Sequence, residues 1–214
     1  NTPKIIKPVS DRIKPVCKHF KNCGGCSLQH ASDTIIADWK IKKTQDALSQ
    51  VNLYPKFRPI INSKKESRRR ATFAAKRTKK GSMVGFHSRA SNIIVEVTEC
   101  PVSDPIILSG IPAFSQFAIL GSSRKSVLRI SATVSGYGLD VGVENGKELS
   151  PTEISQFAQI CDQYKILRLV WNEDVIAQSN PPGQTMGSVN IVPPVVIILF
   201  PLNEKHPISP SPPA

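Results

Sequence analysis

Apolar residues recur along this chain with two different periods, and the changes of period divide it into helices and strands. After an opening broken by Pro3, Pro8 and Pro15, the residues Ile35, Ile36, Trp39, Ala47, Leu48 and Val51 recur at helical spacing between Asp38, Lys40, Lys42, Lys43 and Asp46. With Ser32-Asp33 as its cap, this spacing predicts an amphipathic helix from about residue 33 to about residue 50, whose basic face either meets RNA or is a solvated surface beside a core-packed Trp39. Pro55 and Pro59 mark a loop. The segment Ala71 to Ala75, the glycine turn at Gly81 and the segment Met83 to His87 read as a hairpin, and Asn92 to Thr98 reads as a third strand.

Beyond Pro101 the pattern continues in the same two periods. Pro101 to Leu120 is apolar and interrupted by Pro105, Gly110 and Pro112, which predicts one or two short helices. Val127 to Val134 and Leu139 to Val143 flank Gly136-Tyr137-Gly138 as a second hairpin. Ser150-Pro151-Thr152-Glu153 supplies a cap, a first-turn proline and a glutamate placed to close a capping box, ahead of the stripe Ile154, Phe157, Ala158 and Cys161. On that stripe Cys161 is a core residue rather than a nucleophile. Ile166 to Trp171 and Asp174 to Ala177 complete the strands. The expected fold class is α+β, a mostly antiparallel sheet with two amphipathic helices.

Charge changes this picture by making the two ends of the chain unlike. The 214 residues carry a net charge of +12, but residues 1 to 100 hold 21 basic against 7 acidic side chains, and residues 101 to 214 hold 7 against 9. A net +14 on the first stretch points to a polyanion, and nucleic-acid backbones are the common one because counterion release drives their binding. Arg68, Arg69, Arg70, Lys76 and Arg77 are the candidate phosphate contacts, since guanidinium forks match phosphate oxygens in two places. The plainer alternative for any one of them is a solubilising turn. No apolar run reaches the length that spans a membrane, Val195 to Phe200 being far too short, so no membrane association is expected. A monomer is expected.

Candidate chemistry lies in the thiols. Cys17, Cys23 and Cys26 fall within ten residues around Gly24-Gly25, and Cys100 stands alone before Pro101. Four such ligands can converge on one metal centre and tie a long loop closed. A trio completed by a distant Cys-Pro is closer to iron–sulfur ligation than to the paired thiols of structural zinc, with zinc kept as the alternative. An odd number of cysteines, 5, and the lack of an apolar leader argue against disulfides and for a cytoplasmic address. His30 is read as a packing or hydrogen-bonding residue, as lone histidines such as His87 usually are, and His19 as solvent-facing.

These residues carry a resemblance. Phe20-Lys-Asn-Cys23-Gly24-Gly25-Cys26-Ser-Leu-Gln29-His30, then Arg68 to Arg70, Gly85-Phe86-His87 and Cys100-Pro101-Val102, resemble in order the iron–sulfur class of S-adenosylmethionine (SAM)-dependent RNA uracil-5 methyltransferases. The resemblance implies that Cys17, Cys23, Cys26 and Cys100 ligate a [4Fe–4S] (4Fe-4S) cluster, that the partner is ribosomal or transfer RNA, and that the whole family protein methylates uridine with SAM. It further implies a doubly wound methyltransferase domain with a glycine-rich loop, base flipping and a cysteine nucleophile. No Gly-x-Gly-x-x-Gly fingerprint occurs in this sequence, so the methyltransferase domain, the SAM site and the catalytic residues are expected to be absent from it. The expected organisation is a remnant at 1–16, a basic iron–sulfur and RNA-binding region at 17–104, an α+β continuation at 105–182 and an atypical proline-rich tail at 183–214, in a chain truncated before catalysis. A free-standing iron–sulfur or zinc RNA-binding module is the alternative.

Overall fold

The computed structural model of the chain describes residues 5–179; the apolar run Val195 to Phe200 and the proline-rich end lie outside the described residues. In order the elements are α1 (Asp33–Ser49), β1 (Arg70–Arg77), β2 (Ser82–His87), β3 (Ile94–Glu96), α2 (Pro105–Ser109), α3 (Ile111–Gly121), β4 (Leu128–Val134), β5 (Leu139–Glu144), α4 (Pro151–Gln163), β6 (Ile166–Trp171) and β7 (Asp174–Gln178). The strands make one sheet in the order β3-β2-β1-β4-β5-β6-β7. Every neighbouring pair is antiparallel except β5 and β6. Those two are parallel because α4 carries the chain back across the sheet between them, which a tight hairpin turn cannot do. The α+β class and the mainly antiparallel pairing agree with the sequence pattern.

Period-two alternation sets the faces. On β1, Ala71, Phe73 and Ala75 are buried, and opposite them on β4 so are Leu128, Ile130, Ala132 and Val134. Leu139, Val141 and Val143 continue the layer on β5. This face packs with α2, α3 and α4 through Ile107, Phe114, Phe117, Phe157 and Cys161. Aromatic rings fill its centre: Phe73 lies 4.8 Å from Phe86 and 5.4 Å from Phe114, and Phe157 lies 5.2 Å from Phe117 and 4.9 Å from Trp171. Each fully buried phenylalanine contributes about 2–3 kcal/mol of transfer free energy, so these rings dominate the core. The Trp171 indole N–H is satisfied by the Lys147 carbonyl at 2.9 Å.

The other face is polar and laced across the strands. Thr72 and Ser131 hydroxyls meet at 3.4 Å, Arg129 pairs with Glu144 at 2.6 Å, and Arg168 grips Asp140 with two nitrogens. Charges on β4, β5 and β6 are thus neutralised within the sheet, whereas among the described residues Arg70 and Lys76 on β1 have no ion pair.

The proline-interrupted stretch forms two helices, α2 and α3, as its sequence predicts, each with a proline in its first turn. One expectation needs correction: α1, although capped by Ser32 as expected, buries only Ala37. Trp39 is 51% exposed and Ile35 41%. The reason is composition: charged residues fall on every side of α1, so its apolar residues make no continuous stripe wide enough to join a core.

Candidate functional site

The first three thiols sit on an irregular loop wound by its own backbone. The Phe20 N–H donates to the Cys17 carbonyl at 3.2 Å, and the Cys23 N–H to the His19 carbonyl at 2.8 Å. The end of β2 then holds the loop: Cys23 bridges to Ser88, and the Gly24 N–H donates to the His87 carbonyl at 2.9 Å. A side chain at residue 24 would place its Cβ 2.8 Å from that same carbonyl, which explains why glycine stands there. Gly25 donates its N–H to Cys23 Sγ at 3.4 Å.

Cys100 arrives from the other side. Glu66 and Arg68 donate their N–H groups to the carbonyls of Pro101 and Val102, and Asp104 donates back to Arg68, so the segment after Cys100 is zipped to the approach of β1. Ser103 is buried and directs its hydroxyl at Cys100 Sγ, 3.4 Å away. An ion pair of 3.2 Å between Lys18 and Glu99, the residues adjoining Cys17 and Cys100, closes the two arms.

Each of the four thiols is free and half-buried. Burial pushes the Cys17 thiol above its ordinary range, and the charges of Cys100, Cys23 and Cys26 push it further, against a lowering hydrogen bond from the backbone at His19. Among the described residues no group of three or more His, Cys, Asp or Glu side chains is closed around a point where a single ion could sit. Thiolate donors are of the chemistry that suits a soft metal.

Residues that motif spacing leaves unmarked finish the site. Gln29 accepts the Cys17 N–H on its side-chain oxygen at 3.1 Å. Arg89 donates to the carbonyls of Cys26 at 2.7 Å and Phe20 at 3.3 Å, with its guanidinium 5.0 Å from the Phe20 ring centre. Phe20 also lies 5.8 Å from the His30 ring, the packing role expected of that histidine. Arg89 follows a strand and carries no motif, so only the fold reveals it. His19 corrects its expected solvent-facing place: its Nε2 is buried without a hydrogen-bond partner, because the turn at residues 19 to 23 folds over it.

The basic candidates fall into two groups on one strand. Arg68, Arg69 and Arg70 are exposed beside the segment that follows Cys100, one Arg69 nitrogen donating to the Val134 carbonyl at 3.0 Å. Lys76 and Arg77 stand at the other end of β1, roughly 20 Å away at strand rise. By alternation Arg70 and Lys76 share the polar face, and Arg77 lies on the helix side. Cys161 is buried in the core, its thiol pushed up to about 12 by burial first and by Asp162 second, which leaves it inert. No helix of the described residues is long and apolar enough to cross a membrane.

Four half-buried thiols and a set of basic residues without ion pairs among the described residues are thus carried by an α+β sheet. Comparison with known proteins places the chain. The chain is 31% identical over 190 residues to an uncharacterized RNA methyltransferase of Rhizobium meliloti, covering 86% of this chain and 46% of the relative. It is 28% identical over 171 residues to the 23S rRNA (uracil(1939)-C(5))-methyltransferase RlmD of Aromatoleum aromaticum, covering 76% of this chain and 39% of that protein. A same-named RlmD of Marinomonas posidonica is 35% identical over 105 residues, 47% of this chain and 23% of its own length. No protein-family model matches. The chain belongs to the RNA uracil-C5 methyltransferase family as a partial match, spanning about half the length or less of the curated relatives it matches.

Proposed function

We propose that this chain is the cluster-bearing, RNA-contacting part of an RNA uracil-5 methyltransferase acting on ribosomal or transfer RNA. Cys17, Cys23, Cys26 and Cys100 would hold a [4Fe–4S] cluster there, whose contribution when bound is to lock the two arms of the site together. The observation that carries this is the junction of the Cys100 arm with the loop of the other three thiols, made by the Lys18–Glu99 ion pair, while the Arg68–Val102 zipper holds the arm on β1. A local trio completed by a distant Cys-Pro supports a multi-iron cluster, where each sulfur serves its own iron, over structural zinc, which is usually held by two close pairs. The chain's own residues orient the sulfurs: Gln29 fixes the Cys17 backbone, Gly25 and Ser103 direct hydrogens at Cys23 and Cys100, and Arg89 restrains Cys26.

Arg68, Arg69, Arg70, Lys76 and Arg77 would meet the RNA backbone, with neither an ion pair nor a buried role to occupy most of them. SAM would supply the methyl group in the whole family protein, and no described residue is assigned to it. Anaerobic purification of the chain with iron and sulfide analysis and a visible spectrum tests the cluster. Wild type is expected to hold about four irons and four sulfides, and Cys100→Ser to lose most of both. Iron-free wild type, or full retention by Cys100→Ser, overturns it. A salt-dependent gel shift with unmodified ribosomal RNA tests the RNA contact.

A further inference from the structure

The hairpin turn after β1 and the loop after α3 form an open cleft of about 400 Å³, lined by Arg77, Thr78, Lys79 and Arg124. Arg124 is separated from the others by more than forty residues, so local sequence does not announce the cleft. Both of its walls are built. The hairpin turn is closed by the Thr78 N–H donating to Gly81 at 2.8 Å. In the facing loop the Ser123 hydroxyl accepts the N–H groups of Lys125 and Ser126, both at 3.2 Å, and Ser122 anchors the start by donating to Ala118 at 2.7 Å. Three cations therefore face a common space on short, hydrogen-bonded turns, and none has a carboxylate partner among the described residues.

The geometry points to a phosphodiester site: Arg77, Lys79 and Arg124, with the Thr78 hydroxyl, hold the backbone of an RNA strand at the end of β1 remote from the thiols. This rests on the RNA reading above and adds Thr78, Lys79 and Arg124 to it. Three positive charges with one neutral donor fit an anion that accepts several hydrogen bonds. The volume exceeds that of a lone phosphate and leaves space for flanking sugar, and the cleft is open enough for a strand to pass through. No aromatic ring lines it and no Asn, Gln, Asp or Glu is placed to read a base edge, so the contact is to the backbone and blind to sequence. Arg68 to Arg70 stand at the opposite end of the strand, so an RNA touching both groups lies along β1.

The test is fluorescence anisotropy of the full chain with a labelled oligouridine and with a mixed-sequence RNA of equal length, over a KCl series. Arg124→Gln is expected to weaken both RNAs by the same factor, roughly fivefold near 0.1 M salt, and to reduce the log–log salt slope by about 0.7. Arg124→Gln with Lys79→Gln doubles the loss of slope, while Arg124→Lys keeps most of the affinity, and thermal melting of all three stays at the wild-type value. If wild type binds with a steep salt dependence and the double variant binds equally well, the cleft assignment is wrong and the RNA reading stands. A loss confined to one of the two sequences also overturns it. If wild type binds neither RNA, both fail.

Discussion

Arg89 donates from its guanidinium to the Cys26 carbonyl oxygen at 2.7 Å, across 63 positions of sequence, and lies over the Phe20 ring while doing so. One side chain on the loop after β2 thus restrains the third thiol and the turn that carries the first two. Arg89→Ala is expected to cost about 1 kcal/mol in denaturant unfolding, the scale of an exposed charge-assisted hydrogen bond with a cation–π contact. It should also raise the alkylation rate of Cys26 several-fold, measured by mass spectrometry, and Arg89→Lys should not restore it because an ammonium cannot bridge two carbonyls in a plane.

Thiol reactivity separates the cysteines. Iodoacetamide at pH 8 is expected to label Cys17, Cys23, Cys26 and Cys100 of the metal-free chain, and to leave Cys161 unmodified until the protein unfolds, as read by peptide mapping. Burial in the core pushes the Cys161 thiol up from 9.0 to about 12. Its contribution to stability is therefore complete below about pH 9 and is lost as pH rises toward 12. Cys161→Ala should flatten the alkaline limb of the stability profile.

The start of α4 gives the acid counterpart. Glu153 accepts from Lys147 at 2.6 Å and from the Ser150 N–H at 2.9 Å, and its carboxyl is lowered from 4.5 to about 2, with the Lys147 hydrogen bond the largest cause. A lowered acid stabilises the fold above its unfolded value and loses that contribution as pH falls through the folded one. Stability is expected to decline between about pH 4.5 and pH 2, and Glu153→Gln to shrink the decline. Ser150→Ala, which removes the cap itself, is expected to cost about 1 kcal/mol at neutral pH in a urea melt.

Gly121 probes the aromatic core. A Cβ there would lie 2.2 Å from one Trp171 ring carbon and 3.0 Å from Phe157, two buried rings that already pack on each other 4.9 Å apart. Gly121→Ala is expected to destabilise by roughly 1–3 kcal/mol and to shift Trp171 fluorescence, whereas Gly142→Ala, where a Cβ meets nothing within 4 Å, should change little.

Local chemistry was legible in the sequence where it is itself local. The capping box at Ser150 and Glu153, the strand alternation around Phe73 and Ile130, and the burial of Cys161 each follow from residues a few positions apart. What escaped was decided at a distance. Nothing near β5 says that it pairs in parallel with β6, since the crossover by α4 sets that. The periodicity of α1 overstated its apolar side, because spacing alone ignores the charges interleaved with Trp39. Of the candidate site, the four thiols stood out by type and spacing. Gln29, Arg89 and Ser103 did not, because a hydrogen bond to a loop carbonyl or a sulfur leaves no period behind it.

The bridge between Cys23 and Ser88 also fixes an order of events during synthesis. A ribosome adds about 5–20 residues per second, so Cys17, Cys23 and Cys26 emerge on the order of ten seconds before Ser88, Arg89 and Cys100 exist to hold or complete them. Throughout that interval the nascent thiols have no scaffold and are open to oxidants. The hydrogen bonds that Gly24 and Cys26 make with His87 and Arg89 can form only after translation has passed residue 89.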